Sequence, residues 1–184
     1  MKTAKEKQKA GHYEIYGETL AKFEFFEAGW NPYERYLDVD QVDLILRRRK
    51  GDRIIYREIQ VKYGKLYDVG TAWEKELFDI TSWRFFAKNT FSEHRKRKDY
   101  FIAYVLAHDS GYKGDIFILT PRDFDSLIGR AISSSSGVKQ KVYLSRSKHE
   151  PERWFLRKKS RFDKITSASC IEVTKYRRAF DLLE

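Results

Sequence analysis

The chain has 184 residues, 41% of them hydrophobic and 16% aromatic, which suffices for one sizeable core and argues against a disordered chain. Its 37 basic and 27 acidic residues give a net charge of +10, typical of a protein that binds a polyanion. The single cysteine, Cys170, excludes a disulfide framework, and no apolar run reaches the ~20 residues of a membrane span. We therefore expect a cytoplasmic protein with no membrane partner.

The first part of the chain is predicted to form a helix and a strand pair. Residues 1–10 are predicted to be a flexible basic arm, and 13–28 a helix that ends at a glycine. Residues 42–46 and 53–63 are rich in apolar and β-branched side chains and predict two strands. The sequence between them, 50–53, is typical of a tight turn.

Helices and strands are predicted to continue along the rest of the chain. No internal repeat is recognisable, so residues 11–184 are expected to form a single domain of the α/β class. The predicted elements are, in order, a helix over 73–88, strands over 100–106 and 115–119, a helix over 121–128, a hairpin from 142–145 and 153–156, and a helix over 173–183.

The turn at Gly51 and Asp52 predicts the register of the first strand pair. A two-residue loop sets Lys50 opposite Arg53. Because directly opposite residues share a face and alternate residues return to it, two faces follow. The apolar face carries Val42, Leu44, Leu46, Ile59 and Val61. The polar face carries Asp43, Glu58, Gln60 and Lys62, with Asp43 opposite Gln60.

Two carboxylates, an amide and a lysine on one face favour metal-dependent phosphodiester cleavage. Asp43 and Glu58 are expected to hold Mg²⁺ (or Mn²⁺), which takes oxygen ligands. Gln60 is a candidate neutral ligand or a group that orients water. Lys62 is expected to hold the attacking water and to stabilise the charge on the phosphate. The alternative is a solvated sheet face with an ordinary ion pair.

Asp43 followed by Glu58-Ile59-Gln60-Val61-Lys62 resembles the PD-(D/E)XK nuclease superfamily, which includes Holliday-junction resolvases and many restriction endonucleases. The resemblance implies a restriction-endonuclease-like α-β-β-β-α-β core with a central mixed sheet flanked by helices. The predicted C-terminal hairpin and helix are additions to that core. An amide, Gln60, stands where the family usually has an acid, and Glu58 lies one alternation earlier. Which of the two contacts the metal stays open.

The resemblance extends to the predicted first helix and covers about residues 13–120. Gly17-Glu18-Thr19-Leu20-Ala21 is similar to the family's pattern of a glutamate before an apolar stretch that ends in Gly-aromatic. By this resemblance Glu18 is a further acid of the catalytic metal site. One departure is that Val42 stands where the family commonly has a proline.

Several other residues are candidates for nucleic-acid contacts. Arg47 shares the polar face, and a basic cluster follows the predicted second helix. Asp38 and Asp40 are candidates for a second ion, with a polar turn as the alternative. Tyr63, Tyr67 and Trp73 are candidates for base stacking, with core packing as the alternative. The basic cluster consists of Arg95, Lys96, Arg97 and Lys98.

The function predicted from the sequence is a metal-dependent endonuclease that hydrolyses phosphodiester bonds in DNA. A homodimer is an expected assembly because duplex cleavage needs two sites and the chain offers one. The first alternative is a catalytically inactive nuclease-fold DNA-binding protein, which binds without cutting. The second is a basic scaffold protein with no nucleic-acid role, which does neither.

Overall fold

The computed structural model describes residues 4–34, 41–133, 135, 137–158 and 160–184, with only the backbone for 4–10. Asp38 and Asp40 lie outside these residues. The helices are α1 (Ala4–Glu27), α2 (Ala72–Leu77) and α3 (Pro121–Ala131). The strands are β1 (Asn31–Glu34), β2 (Leu44–Lys50), β3 (Arg53–Asp68), β4 (Phe78–Phe86), β5 (Tyr100–His108), β6 (Gly111–Leu119), β7 (Gln140–Ser147), β8 (Trp154–Arg157) and β9 (Cys170–Glu172).

The strands form two sheets that share β3, so the fold belongs to the mixed α/β class. The first sheet has the order β1-β2-β3-β5-β6 and is antiparallel except for the parallel pair β3–β5. The second sheet begins with the last three residues of β3 and continues through β4, β7, β8 and β9, all antiparallel. The strand β3 therefore links the two halves of the molecule.

The predicted register of the first hairpin is confirmed. Lys50 is opposite Arg53, Leu44 is opposite Ile59, and Gly51 has the positive φ, +60°, of a tight turn. Val42 departs from the prediction, because it packs in a different apolar cluster from that of Leu44 and Ile59.

Gly64 allows β3 to pass from the first sheet to the second. A Cβ atom at this position would lie 2.6 Å from the hydroxyl oxygens of both Ser82 and Tyr104. Strands from both sheets therefore approach the β3 backbone more closely than any other residue permits.

Apolar layers cover both faces of the first sheet. On one face α1 packs against β2, β3 and β5 through Ala21 and Phe25, together with Ala179 and Leu183 from the end of the chain. On the other face α3 and the inner side of the second sheet complete a larger cluster. These two layers fix α1 and β3 relative to each other, and both carry predicted site residues.

The predicted helix over 73–88 is wrong. Only Ala72–Leu77 is helical, and Phe78–Phe86 forms β4 between β3 and β7. The segment is rich in aromatic and β-branched residues, which favour strands. Hydrogen bonding to β3 on one side and to β7 on the other stabilises it as a strand. The connection between the parallel strands β3 and β5 thus contains α2 and β4 where the restriction-endonuclease-like core implies a long helix.

Two further predictions at the chain ends are corrected. Residues 4–10, predicted to be a flexible arm, belong to α1, because alanine, lysine, glutamate and glutamine are strong helix formers. The helix predicted over 173–183 is replaced by two 3₁₀ turns, Thr174–Tyr176 and Phe180–Leu183. Between them Arg178 adopts a left-handed φ of +53°, which interrupts helical hydrogen bonding.

The remaining predicted strands and the helix α3 are present with shifted ends, and the short strands β1 and β9 were not predicted. The predicted start of α3 is confirmed: Thr120 caps it by accepting a hydrogen bond from the Asp123 N–H at 3.1 Å, and Pro121 follows. None of the helices in the described part of the chain is long and apolar enough to cross a membrane.

Candidate functional site

The structure joins Asp43 to the predicted motif on β3. Asp43 directly precedes β2, and its backbone N–H donates to the Ile59 carbonyl at 2.9 Å. Its Oδ2 accepts a hydrogen bond from the Val61 N–H at 2.6 Å and another from Gln60 Nε2. The carboxylate is thereby fixed beside the Gln60-Val61-Lys62 segment, as the hairpin register predicts.

Gln60 and Lys62 lie one alternation apart on β3, so their side chains leave the strand on the same side. Gln60 is only 5% exposed and Lys62 is half-buried. Their parallel neighbours on β5 are Ile102 and Tyr104. The motif therefore lies in the middle of the first sheet, where a lysine stem has apolar surroundings.

Glu18 lies on α1, which packs against the Val61 and Tyr63 side of β3. Burial is the main cause of a raised pKa of the half-buried Glu18 carboxyl, and the negative charge of Asp43 is the second. The positive charge of Lys22 lowers this pKa. The charge of Asp43 therefore acts on the Glu18 carboxyl.

Tight packing of α1 on β3 sets the position of Glu18. A Cβ atom on Gly17 would lie 2.8 Å from the Cβ of Tyr63, the residue after Lys62. The Tyr63 ring stacks on that of Tyr13, with ring centroids 5.5 Å apart. Burial raises the pKa of Tyr63 to about 12, so its hydroxyl stays protonated at neutral pH. Tyr63 thus packs against the helix and does not present a free ring for base stacking.

Glu58, on the same side of β3 as Gln60, is ion-paired with Arg97. Its Oε2 lies 3.0 Å from Arg97 Nη2, and the same guanidinium contacts Asp99 at 2.8 Å. Across the described ranges, no group of three His, Cys, Asp or Glu side chains is close enough to hold a metal ion. The structure thus joins Asp43 to the Gln60-Val61-Lys62 segment, leaves Glu18 on α1 under the influence of the Asp43 charge, and pairs Glu58 with Arg97.

The basic cluster that follows β4 combines arginines that are paired with carboxylates and lysines that are exposed. Arg95 donates to Asp125 at 2.8 Å and to Asn89 at 2.5 Å, and Asp125 is itself buried. Lys96 and Lys98 are exposed. The two arginines of the cluster therefore have structural partners, whereas the two lysines lie on the surface. Arg47 is half-buried on β2, opposite Tyr56.

Arg84 was missed by the sequence analysis, because it lies in the segment predicted as a helix. It extends from β4 and donates to the carbonyl of Tyr63 at 2.6 Å, directly after Lys62. As an inward-facing cation on a strand of β-branched and aromatic residues, it could have been found only by predicting β4.

Comparisons of the chain with protein-family models, with curated proteins and with solved structures returned no match. The chemistry of Asp43, Glu18, Gln60 and Lys62 is therefore the evidence for function.

Proposed function

We propose that the protein is a metal-dependent endonuclease that hydrolyses phosphodiester bonds in DNA, with a site of the PD-(D/E)XK type. The observation that carries the proposal is the pair of hydrogen bonds from Gln60 Nε2 and the Val61 N–H to Asp43. They bring the acid before β2 and the Gln-Val-Lys segment of β3 into one cluster, with Lys62 in the same segment.

The arrangement of the elements supports the family part of the proposal. A long helix, α1, packs on one face of a sheet in which β1, β2 and β3 are antiparallel and β3 is parallel to β5. This matches the start of the core expected from the sequence. The absent long helix between β3 and β5 is a departure, and the restriction-endonuclease-like topology stays part of the proposal.

The cluster fits a hard divalent cation such as Mg²⁺ or Mn²⁺. The carboxylates of Glu18 and Asp43 repel each other, since the charge of Asp43 contributes to the raised pKa of Glu18. Mg²⁺ is commonly bound by one or two carboxylates and retains several waters, so these two acids and the Gln60 amide oxygen suffice. When bound there, the ion would neutralise charge on the phosphate and lower the pKa of a water bound to it.

Lys62 supplies the remaining chemistry of the proposed site. Its ammonium follows the metal-binding segment on the same side of β3 and stabilises negative charge that develops on the phosphate. In this assignment Gln60, not Glu58, contacts the metal, because the Glu58 carboxylate is occupied by Arg97 at 3.0 Å. Glu58 and Arg97 instead tie the start of β5 to β3.

DNA is the proposed substrate because of the charge distribution. The chain carries +10 overall, with +8 in residues 93–184, and a polyanion with phosphodiester bonds matches both this charge and the proposed site. Cleavage of both strands of a duplex by one site per chain also leads us to propose a homodimer.

The test is incubation of supercoiled plasmid and branched DNA with the protein, in Mg²⁺ or Mn²⁺ and in excess EDTA. We expect metal-dependent nicking by the wild-type protein and none by Asp43→Asn. The control is Asp52→Asn, which removes one exposed acid at the hairpin turn and is expected to cut at the wild-type rate. Equal cleavage by wild type and Asp43→Asn would place the active site elsewhere.

A second candidate, the inactive nuclease-fold DNA-binding protein, is favoured by one observation. Within the described residues the cluster has two acids and no third, since Glu58 is paired with Arg97. This candidate predicts DNA binding with no cleavage in either metal. It also predicts that Mg²⁺ leaves the thermal unfolding midpoint unchanged, whereas the endonuclease proposal predicts a rise that Asp43→Asn removes.

A further inference from the structure

The outer face of the second sheet carries three exposed aromatic rings. Tyr67 is paired with Thr81, Trp83 with Tyr143, and Phe85 with Lys141, so all six side chains share one side of the sheet. Tyr67, Trp83 and Phe85 are 41%, 41% and 53% exposed. The side chains on the opposite side of β4 pack in the core, and this packing explains why they are apolar. It does not explain the exposed rings of Tyr67, Trp83 and Phe85.

Two lysines lie over these rings. Lys141 Nζ is 3.7 Å from the centroid of the Trp83 ring, and Lys65 Nζ is 5.4 Å from that of Tyr67. Trp83 and Phe85 pack edge to face, with centroids 6.2 Å apart. Lys65 is also paired with Asp109 at 2.7 Å. We call Tyr67, Trp83, Phe85 and Lys141 the aromatic platform.

The neighbouring part of the same face is covered by the chain itself. Phe78 and Phe155 are buried under Leu77 of α2 and under Phe162. Arg157 is 1% exposed and is bonded to Glu74 at 2.7 Å and to Ser145 at 3.0 Å. The fold thus closes one half of this face with α2 and a loop and leaves the aromatic platform open.

We propose that the aromatic platform binds the unpaired bases of a single-stranded nucleic acid. Exposed rings on a sheet stack on bases of any sequence, and cations beside them contact the phosphates. The lysine over Trp83 and the net charge of +10 match a polyanion better than an apolar protein partner. Trp73, a sequence candidate for stacking, packs instead on Phe162 with centroids 5.2 Å apart.

The aromatic platform and the candidate site share the strand β3. Tyr67 lies five residues after Lys62 on the continuous strand β3, a separation of about 16 Å along a strand. Because five is an odd number, alternation places Tyr67 on the opposite side of β3 from Gln60 and Lys62. The aromatic platform is therefore a binding surface separate from the Asp43 motif.

The test measures binding of a fluorescently labelled oligothymidylate and of a matched duplex by anisotropy, in EDTA so that no cleavage occurs. We expect tighter binding of the single strand by the wild-type protein and an affinity reduced roughly 5- to 150-fold for each stacking ring removed, in Trp83→Ala and Phe85→Ala. Trp83→Phe, which retains a ring, is expected to keep most of the affinity. The control Phe26→Ala removes an even more exposed ring, on α1, and is expected to bind normally.

Unchanged affinity in Trp83→Ala and Phe85→Ala, or equal affinity of the wild type for duplex and single strand, overturns the inference. A change of oligomeric state in these variants, with unchanged oligonucleotide binding, would identify the face as a contact between two copies of the chain. Should an alanine variant fail to fold, quenching of Trp83 fluorescence by the oligonucleotide, measured as the difference between wild type and Trp83→Phe, decides the question. Platform binding without any nuclease activity would refute the proposed function and retain this inference.

Discussion

Asp43 has a structural role as well as the proposed catalytic one. Its carboxylate is the acceptor for the Val61 N–H and for the buried Gln60 amide. A carboxylate in this position both orders the motif and supplies negative charge to a metal. Substitutions that separate hydrogen bonding from charge therefore distinguish the two roles.

We predict that Asp43→Ala is less stable than Asp43→Asn, although both lose cleavage. Alanine leaves the Val61 N–H and Gln60 Nε2 without this acceptor, at a cost of about 1–3 kcal/mol, whereas asparagine keeps one carbonyl oxygen. For a chain of this size the difference corresponds to a few degrees in the thermal unfolding midpoint, about 2–4 °C per kcal/mol. Equal unfolding midpoints for the two variants would show that the hydrogen bonds to Asp43 do not order the motif.

The raised pKa of Glu18 predicts a pH-dependent effect on stability. A carboxyl whose pKa is higher in the folded than in the unfolded protein favours folding when protonated, and loses that contribution as the pH rises through its folded pKa. Glu18→Gln removes the charge, so we expect it to be more stable than wild type at pH 8, by up to about 0.5 kcal/mol. The gain should vanish below pH 4.5, the ordinary pKa of a glutamate carboxyl, as followed by thermal unfolding across pH. The control Glu27→Gln removes an exposed carboxyl at the end of α1 that is not among the charges acting on Glu18, and it should show no such trend.

At the scale of elements, the contact of α1 with β3 determines where Glu18 lies. Gly17 is buried against Tyr63, where a Cβ atom would come within 2.8 Å, whereas Gly11 on the same helix has no atom within 4 Å. The two glycines differ only in what they face, so they form a matched pair of sites for substitution.

We expect Gly11→Ala to stabilise the protein by about 1 kcal/mol, since alanine favours a helix over glycine by that amount. Gly17→Ala gains the same propensity but forces α1 away from β3, and overpacking costs about 1–3 kcal/mol. Its net effect is neutral to destabilising, and the displaced Glu18 lowers cleavage. Chemical denaturation of both variants provides the measurement. A Gly17→Ala variant as stable as Gly11→Ala, with full activity, would contradict this account of the helix contact.

The elements that sequence could predict are those specified by local signals. The first hairpin was predicted in register because Gly51 allows the turn and the alternation of Leu44, Leu46 and Ile59 defines a face. The start of α3 was predicted from Thr120 and Pro121. In each case the deciding interactions lie between residues close along the chain, and the Leu44–Ile59 pair is the most distant of them.

The elements that the sequence could not predict depend on partners that are distant along the chain. The segment Phe78–Phe86 has apolar residues at spacings that fit a helix, and it becomes a strand because β3 and β7 flank it. The ion pair of Glu58 likewise depends on a distant residue, Arg97, which the parallel pairing of β3 with β5 brings near. Two acids on one face of the predicted hairpin were therefore insufficient to define the site.

At the scale of the whole molecule, the charge distribution separates structural from surface cations. Arg95 and Arg97 bind carboxylates within the fold, so their removal would perturb structure as well as any DNA contact. Lys96 and Lys98 are exposed beside them. These two lysines isolate the electrostatic part of the proposed DNA binding.

We predict that Lys96→Ala/Lys98→Ala binds duplex DNA more weakly and with a shallower salt dependence. Removing one lysine–phosphate interaction reduces the slope of log K against log salt concentration by about 0.9, so removing two gives a change of about 1.8. The control Arg53→Ala/Lys75→Ala removes two exposed cations from the nearly neutral half of the chain and should leave the slope nearly unchanged. Binding is measured by anisotropy in EDTA at several salt concentrations. Equal slopes for the two double variants would show that the excess charge of residues 93–184 acts as a diffuse field and not through the lysines beside β5.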